Sequence, residues 1–277
     1  MNETALKERI KQIAKHKGIT FNQCWKSLLL ERVLARISKS KHSEKFIFKG
    51  GFFLSYAIDI GRETVDLDFL LTKSKGEQSE IRTIFEEITG LTLADGFSFS
   101  WDGIEELAQP HMNYPGFRIS LNAAIGKMRD KVQVDLGIGD AVEPEKKKII
   151  LFHYRDKPIF EDEITLLTYP LETVFAEKLE TLISRGALNS RMKDYHDLLV
   201  LCRSGRLRVK KLRAAIKATF IHRETEQRLP IRFSTMDIEK LQSLWFRHAR
   251  EHNEAAYAVE LPGEISRVVQ EINKHLP

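Results

Sequence analysis

Residues Lys49–Leu71 read KGGFFLSYAIDIGRETVDLDFLL, and the reading of the fold turns on the last seven, VDLDFLL. Apolar and acidic residues alternate there in the pattern of a half-buried strand. Side chains at i and i+2 of a strand point to the same face, so Asp66 and Asp68 stand side by side. Two adjacent carboxylates repel each other and resist desolvation. A divalent cation removes that conflict, and hard oxygen ligands suit Mg2+ held jointly with substrate phosphates. Gly50 and Gly51 follow the strand-like FIFK and precede the helical run FFLSYAI, with fourteen residues between the pair and Asp66. Glycine there lets backbone approach a phosphate group.

Outward from this stretch, residues 4–39 read as helical, with Leu6, Ile10 and Ile13 at helical spacing. Glu77 to Thr89 reads as a helix stopped by Gly90. FSFSW, FRISLNAAI and KVQVDLGIG read as strands. After about residue 165 the character changes. PLETVFAEKLETLISRG opens on Pro170 and closes on Gly186, the punctuation of a helix. RMKDYHDLLVLCRSG is a second helix, and helical patterns recur at 208–221, 236–250 and 263–275. The expected fold is α+β: a mixed sheet with flanking helices over 1–165, N-terminal helices included, then a helical lobe over 166–277.

Composition describes an ordinary globular chain of 277 residues, 42% hydrophobic and 30% charged. Its apolar runs fall far short of a membrane span, and the charged start MNETALKERIKQIAKHKG lacks a signal-peptide core. Two distant cysteines, Cys24 and Cys202, provide neither a disulfide framework nor a zinc cluster. A cytoplasmic location without membrane association is therefore expected. The net charge of +5 permits a polyanionic partner. Lys and Arg crowd between Ser184 and Lys217 in SRGALNSRMKD and RSGRLRVKKLRAAIK. Such a run is either a solvated helical surface or a contact face for a phosphate backbone.

VQVDLGIGD places Asp135 in another strand. Alone it reads as a strand residue facing solvent. Beside an Asp-x-Asp strand in the same sheet it becomes a candidate third carboxylate, able to bind metal and to accept the proton of an attacking hydroxyl. The order of a glycine pair, DLD and a separate strand aspartate resembles the minimal nucleotidyltransferase superfamily. Arg62 in RETVDLDF, FAEKLETLISR with Lys178, and RMKDYHDLLVL with Arg191, Asp194 and Asp197 resemble, more narrowly, the AbiEii family of nucleotidyltransferase toxins. The matched order spans roughly residues 46–202. One departure stands out: the family commonly has Thr or Ser after the glycine pair, and this chain has Phe52.

The resemblance implies a nucleotidyltransferase using Mg2+ on Asp66, Asp68 and Asp135, with Lys178 and Asp194 also in the reaction. It implies nucleotide contacts from Lys49, Gly50, Gly51, Ser55, Arg62, Thr64 and Arg191. It further implies an NTP substrate, an antitoxin partner and transfer of NMP to the 3′ end of tRNA, blocking translation. Three other readings stand beside it: nucleotidylation of a protein hydroxyl, a non-catalytic nucleotide-binding interaction protein, and a metal-dependent hydrolase.

Overall fold

The structure is a computed structural model that describes residues 2–107, 116–139, 142–255 and 259–277. The chain divides into two compact units, one of Met1–Tyr56 and Glu63–Thr168, the other of Ala57–Arg62 and Tyr169–Pro277.

The first unit opens with α1 (Glu3–Lys17) and α2 (Phe21–Lys39), where the sequence pattern suggested one helical run. Gly18 adopts φ +66° and its N–H reaches back to the carbonyls of Ala14 and Lys15, the left-handed C-cap that glycine supplies at least cost. Thr20 then starts α2 with a capping box: its Oγ1 accepts from Gln23 N at 3.2 Å and its N–H donates to Gln23 Oε1 at 2.8 Å. Next come β1 (Phe46–Lys49), α3 (Gly50–Ala57), β2 (Asp66–Leu71), α4 (Gln78–Thr89), β3 (Ser98–Leu107), β4 (Gly116–Ile125) and β5 (Met128–Ile138). Four strands that the sequence reading did not anticipate follow: β6 (Glu145–Ile150), β7 (His153–Tyr154), β8 (Lys157–Pro158) and β9 (Glu163–Thr168). Seven strands form one mixed sheet in the order β3-β4-β5-β2-β1-β9-β6, and β7 pairs with β8 separately. β2 runs parallel to β5 and antiparallel to β1.

The alternation in β2 and its neighbours sorts the sheet into two faces. Leu67, Phe69, Phe46, Phe48, Val134, Leu136, Phe117 and Ile119 are buried on one face. Phe46 meets Phe69 and Phe85 of α4 edge-on at 5.5 and 5.7 Å, the offset geometry aromatic quadrupoles favour. Ile81, Ile84, Phe85 and Ile88 form the buried stripe of α4. α2 is buried on nearly every side, and its charge is internally matched: Arg36 donates to both oxygens of Asp95 at 2.8 and 3.1 Å. The core on this face leaves Asp66 and Asp68 to the other.

The second unit is helical: α5 (Leu171–Arg185), α6 (Met192–Arg203), α7 (Val209–His222), α8 (Thr235–Glu254) and α9 (Ile265–Lys274). The stripe Leu171, Val174, Phe175, Leu179, Leu182 of α5 is buried, and α5 packs on α6 and α7. Among the described residues no helix is long and apolar enough to cross a membrane.

A charged row across the sheet as candidate active site

Strand register assembles the first cluster. Lys49 of β1 lies opposite Asp68 of β2, Asp68 opposite Asp135 of β5, Asp135 opposite Arg118 of β4, and Arg118 opposite Glu105 of β3. Directly opposed residues share a face. One register level therefore carries the row Lys49, Asp68, Asp135, Arg118, Glu105, two adjacent carboxylates flanked by cations. Asp66 stands on the same face two residues along β2, opposite Gln133. Asp66, Asp68 and Asp135 are each half-buried.

The glycine pair meets this row directly. β1 passes into α3 at Gly50, which adopts φ +74°. A Cβ built there would lie 1.9 Å from Asp68 Oδ2 and 2.6 Å from Asp68 Cβ. No side chain fits, and L residues with a Cβ avoid that backbone conformation in any case. The sequence asks for glycine at residue 50 because the Asp68 carboxylate occupies the space. Lys49 reaches diagonally across β2, where a Cβ at Gly137 would lie 3.6 Å from its Nζ. Phe52 is 4% exposed and meets Phe48 and Tyr56 edge-on. At this position the chain has a core residue where the family commonly has a hydroxyl. The Ser55 hydroxyl donates to the Phe52 carbonyl at 2.7 Å within α3. Thr64 is buried.

Arg118, which the sequence reading missed, grips Asp135. Its Nε and Nη2 donate to Asp135 Oδ1 and Oδ2 at 2.8 and 2.7 Å, the strong bidentate form of a charge-assisted bond. These hydrogen bonds raise the guanidinium above its ordinary range, and the charges of Asp135, Asp66 and Glu105 add to them. The alternation of FRISLNAAI puts Arg118 on the polar face of its strand. Only the register of β4 on β5 shows what it faces.

Asp66 and Asp68 supply the hard, adjacent oxygen donors that Mg2+ takes together with substrate phosphates and water. That donor set fits a divalent cation. Among the described residues, no group of three His, Cys, Asp or Glu is assembled to hold a metal. In this arrangement both oxygens of Asp135 face the Arg118 guanidinium.

The second unit contains its own buried charge cluster. Lys178 of α5 contacts Asp194 Oδ1 at 2.9 Å and Asp197 Oδ2 at 2.7 Å. Arg62 donates to both Asp197 oxygens at 2.7 and 2.8 Å. Burial alone pushes the Lys178 ammonium down, but the charges of Asp197 and Asp194 outweigh it and hold the group above its usual value. Burial likewise opposes ionisation of Asp197, and the Lys178 and Arg62 charges overcome it, leaving the carboxyl well below its usual range. The spacing of Asp194 and Asp197 on one helix face thus brings both to one lysine. Arg191 lies 3.2 Å from Asp194 Oδ2 and is mostly exposed. That oxygen, though buried, has no hydrogen-bond partner, so the contact is an ion pair without bonding geometry. His196 is fully buried in packing, its Nε2 2.9 Å from the Ile60 carbonyl and its Nδ1 3.1 Å from His248 Nε2.

The profile of the nucleotidyl transferase AbiEii toxin family, of type IV toxin–antitoxin systems, matches residues 32–264. The chain belongs to this family. It is accordingly a nucleotidyltransferase of a toxin–antitoxin family, and the family implies an NTP substrate and an antitoxin partner. No curated protein matches the chain. Several solved chains resemble it distantly, among them two from Helicobacter pylori. One is a candidate nucleotidyltransferase from H. pylori, 12% identical, covering 93% of this chain and 94% of its own, with a TM-score of 0.42. The other is JHP933 from Helicobacter pylori, 12% identical, covering 90% and 89%, with a TM-score of 0.40. The family match alone carries the assignment.

Proposed function

We propose that this nucleotidyltransferase moves a nucleoside monophosphate from an NTP to the 3′ end of tRNA in the cytoplasm, and so blocks translation until its antitoxin intervenes. The observation that carries the nucleotide half of this reading is the apposition of Gly50, Asp68, Asp66 and Asp135 on one face of the sheet. Asp66 and Asp68 would hold Mg2+, with Asp135 as the third carboxylate. The bound cation would neutralise charge on the triphosphate and on the departing pyrophosphate.

The chain's own residues supply the rest. Gly50 and Gly51 keep side chains away from the place where phosphates would lie beside Asp68, and Lys49 adds a cation to that edge. Asp135 accepts the proton of the acceptor hydroxyl as its oxygen attacks the α-phosphorus and the bond to pyrophosphate breaks. Arg62, Thr64, Ser55 and Arg191 are proposed nucleotide contacts, with Lys178 and Asp194 needed for nucleotide use.

The acceptor half rests on charge. α7 presents exposed Lys210, Arg213 and Lys217 with no acidic residue in the helix, a surface suited to a phosphate backbone.

The test is label transfer from each of the four α-labelled NTPs into a total cell extract, followed by separate RNase and protease digestion. The expected result is RNase-sensitive label, lost in Asp66→Asn and Asp68→Asn. Protease-sensitive label would instead establish a protein acceptor. No transfer from any NTP would overturn the proposal.

A further inference from the structure

The pairing of Arg118 with Asp135 bears on how the site loads, and it rests on the metal role just proposed for Asp135. The two guanidinium nitrogens face the two carboxylate oxygens at 2.8 and 2.7 Å. A divalent cation on Asp135 would sit against a fixed positive charge, so the pair must open before the third carboxylate can serve a metal. Strand register also sets a second carboxylate beside Arg118. On β4, Arg118 stands between two opposed carboxylates, Asp135 on β5 and Glu105 on β3. Glu105 is exposed on the strand at the end of the sheet order and already acts on Arg118 through its charge. The Arg118 side chain is one-third exposed, so it is not walled in. Arg62, with a side-chain exposure of 9% against a fully buried Asp197, is far more enclosed.

We propose that Arg118 is a displaceable positioning residue. It holds Asp135 while the metal site is empty. When a divalent cation takes that carboxylate, Arg118 swings across the β4–β3 ladder to Glu105. Two carboxylates of opposite fate, one released and one engaged, make this a two-position device and not a simple surface ion pair. Its consequence is ordered loading. Asp66 and Asp68 take a cation first, and Asp135 joins when the gain from binding that cation exceeds the cost of parting the pair.

Mn2+ titration by electron paramagnetic resonance tests this without reference to activity. Removing the competing charge in Arg118→Gln should tighten Mn2+ binding by roughly tenfold, a coupling of the size seen for directly interacting groups. Glu105→Gln should weaken it several-fold, because the displaced guanidinium loses its second partner. In the double variant Glu105→Gln should have no further effect, since no guanidinium is left to relocate. A general loss of local structure would not produce that non-additivity.

Unchanged or weaker Mn2+ binding in folded Arg118→Gln overturns the proposal. Should that variant fail to fold, Glu105→Gln on the exposed strand decides alone, and wild-type affinity there overturns it. Asp66→Asn and Asp68→Asn serve as the separate control. If they bind Mn2+ as tightly as wild type, the metal reading itself fails, whatever Arg118 does.

Discussion

Arg62 and Asp197, 135 residues apart in the chain, form a bidentate ion pair, Nε to Oδ1 at 2.7 Å and Nη2 to Oδ2 at 2.8 Å. Asp197 is fully buried and also receives Lys178 at 2.7 Å. One carboxylate therefore balances two cations in the interior of the second unit. Breaking a buried pair by removing one partner leaves an uncompensated charge and costs about 3–5 kcal/mol. Asp197→Asn and Arg62→Ala should each destabilise on that scale, Asp197→Asn more, since it removes the carboxylate that both cations share. Urea denaturation followed by far-UV circular dichroism measures it. A loss under about 1 kcal/mol in both, the value of an exposed pair, would show that the pair is solvated and not structural.

Gly50→Ala should abolish nucleotide transfer and lower stability by about 1–3 kcal/mol, the range for a strained backbone position. The added methyl would fall 1.9 Å from Asp68 Oδ2 at a φ of +74°. Asp68→Gly removes the obstructing atoms, so Gly50→Ala should cost distinctly less in that background. Equal costs in the two backgrounds, read from thermal melts, would mean that Asp68 does not define the glycine.

The local parts of this arrangement are legible in the chain itself. VDLDFLL announces a strand with its carboxylates on one side, and the glycine pair before FFLSYAI announces a strand-to-helix turn, because both patterns are local. Neighbours across the sheet are not local. Nothing in FRISLNAAI says that Arg118 faces Asp135, because that fact belongs to strand register. The break at Gly18 was hidden because the apolar spacing continues through it. β6 was missed because EKKKII carries lysines on a strand at the end of the sheet order, where exposure relaxes the alternation. Lys178 illustrates the same limit: its helix was legible, its burial between two aspartates was not.

Between pH 7 and 5, buried groups of the two units should act on stability in opposite senses. Burial pushes His196 down to about 3 and His248 to about 4, and lowers His252 as well. Unfolded histidine titrates near 6.5. The unfolded second unit thus binds protons that the folded one refuses, and stability present above pH 6.5 is lost as pH falls towards 4 and 3. Depression of Asp197 acts in the same direction at lower pH. In the first unit, burial raises Glu31 to about 7 against the nearby Arg32 charge. Its contribution has the opposite sign, full below about 4.5 and lost as pH rises to about 7. Hydrogen exchange, corrected for intrinsic rates, should show α6 and α8 losing protection between pH 7 and 5 while α2 holds or gains. Parallel loss in all three helices would contradict the assignment.

Lys178 is the residue for which stability and catalysis are hardest to separate. The family resemblance implied only that Lys178 takes part in the reaction. In the structure the ammonium lies 2.9 Å from Asp194 and 2.7 Å from Asp197, with the side chain 15% exposed. Lys178→Ala and Lys178→Met should therefore both lose stability, on the scale of a broken buried pair. The methionine keeps most of the stem and isolates the charge. Lys178→Arg should retain most stability but transfer nucleotide poorly, because a planar fork does not replace a compact ammonium. The deciding variant is Lys178→Met with Asp194→Asn, which removes one charge of each sign and should recover a large part of the lost stability. If Lys178 serves the nucleotide, label transfer stays orders of magnitude below wild type in this double variant even though it folds. Transfer that returned together with the melting temperature would confine Lys178 to holding α5 and α6 together.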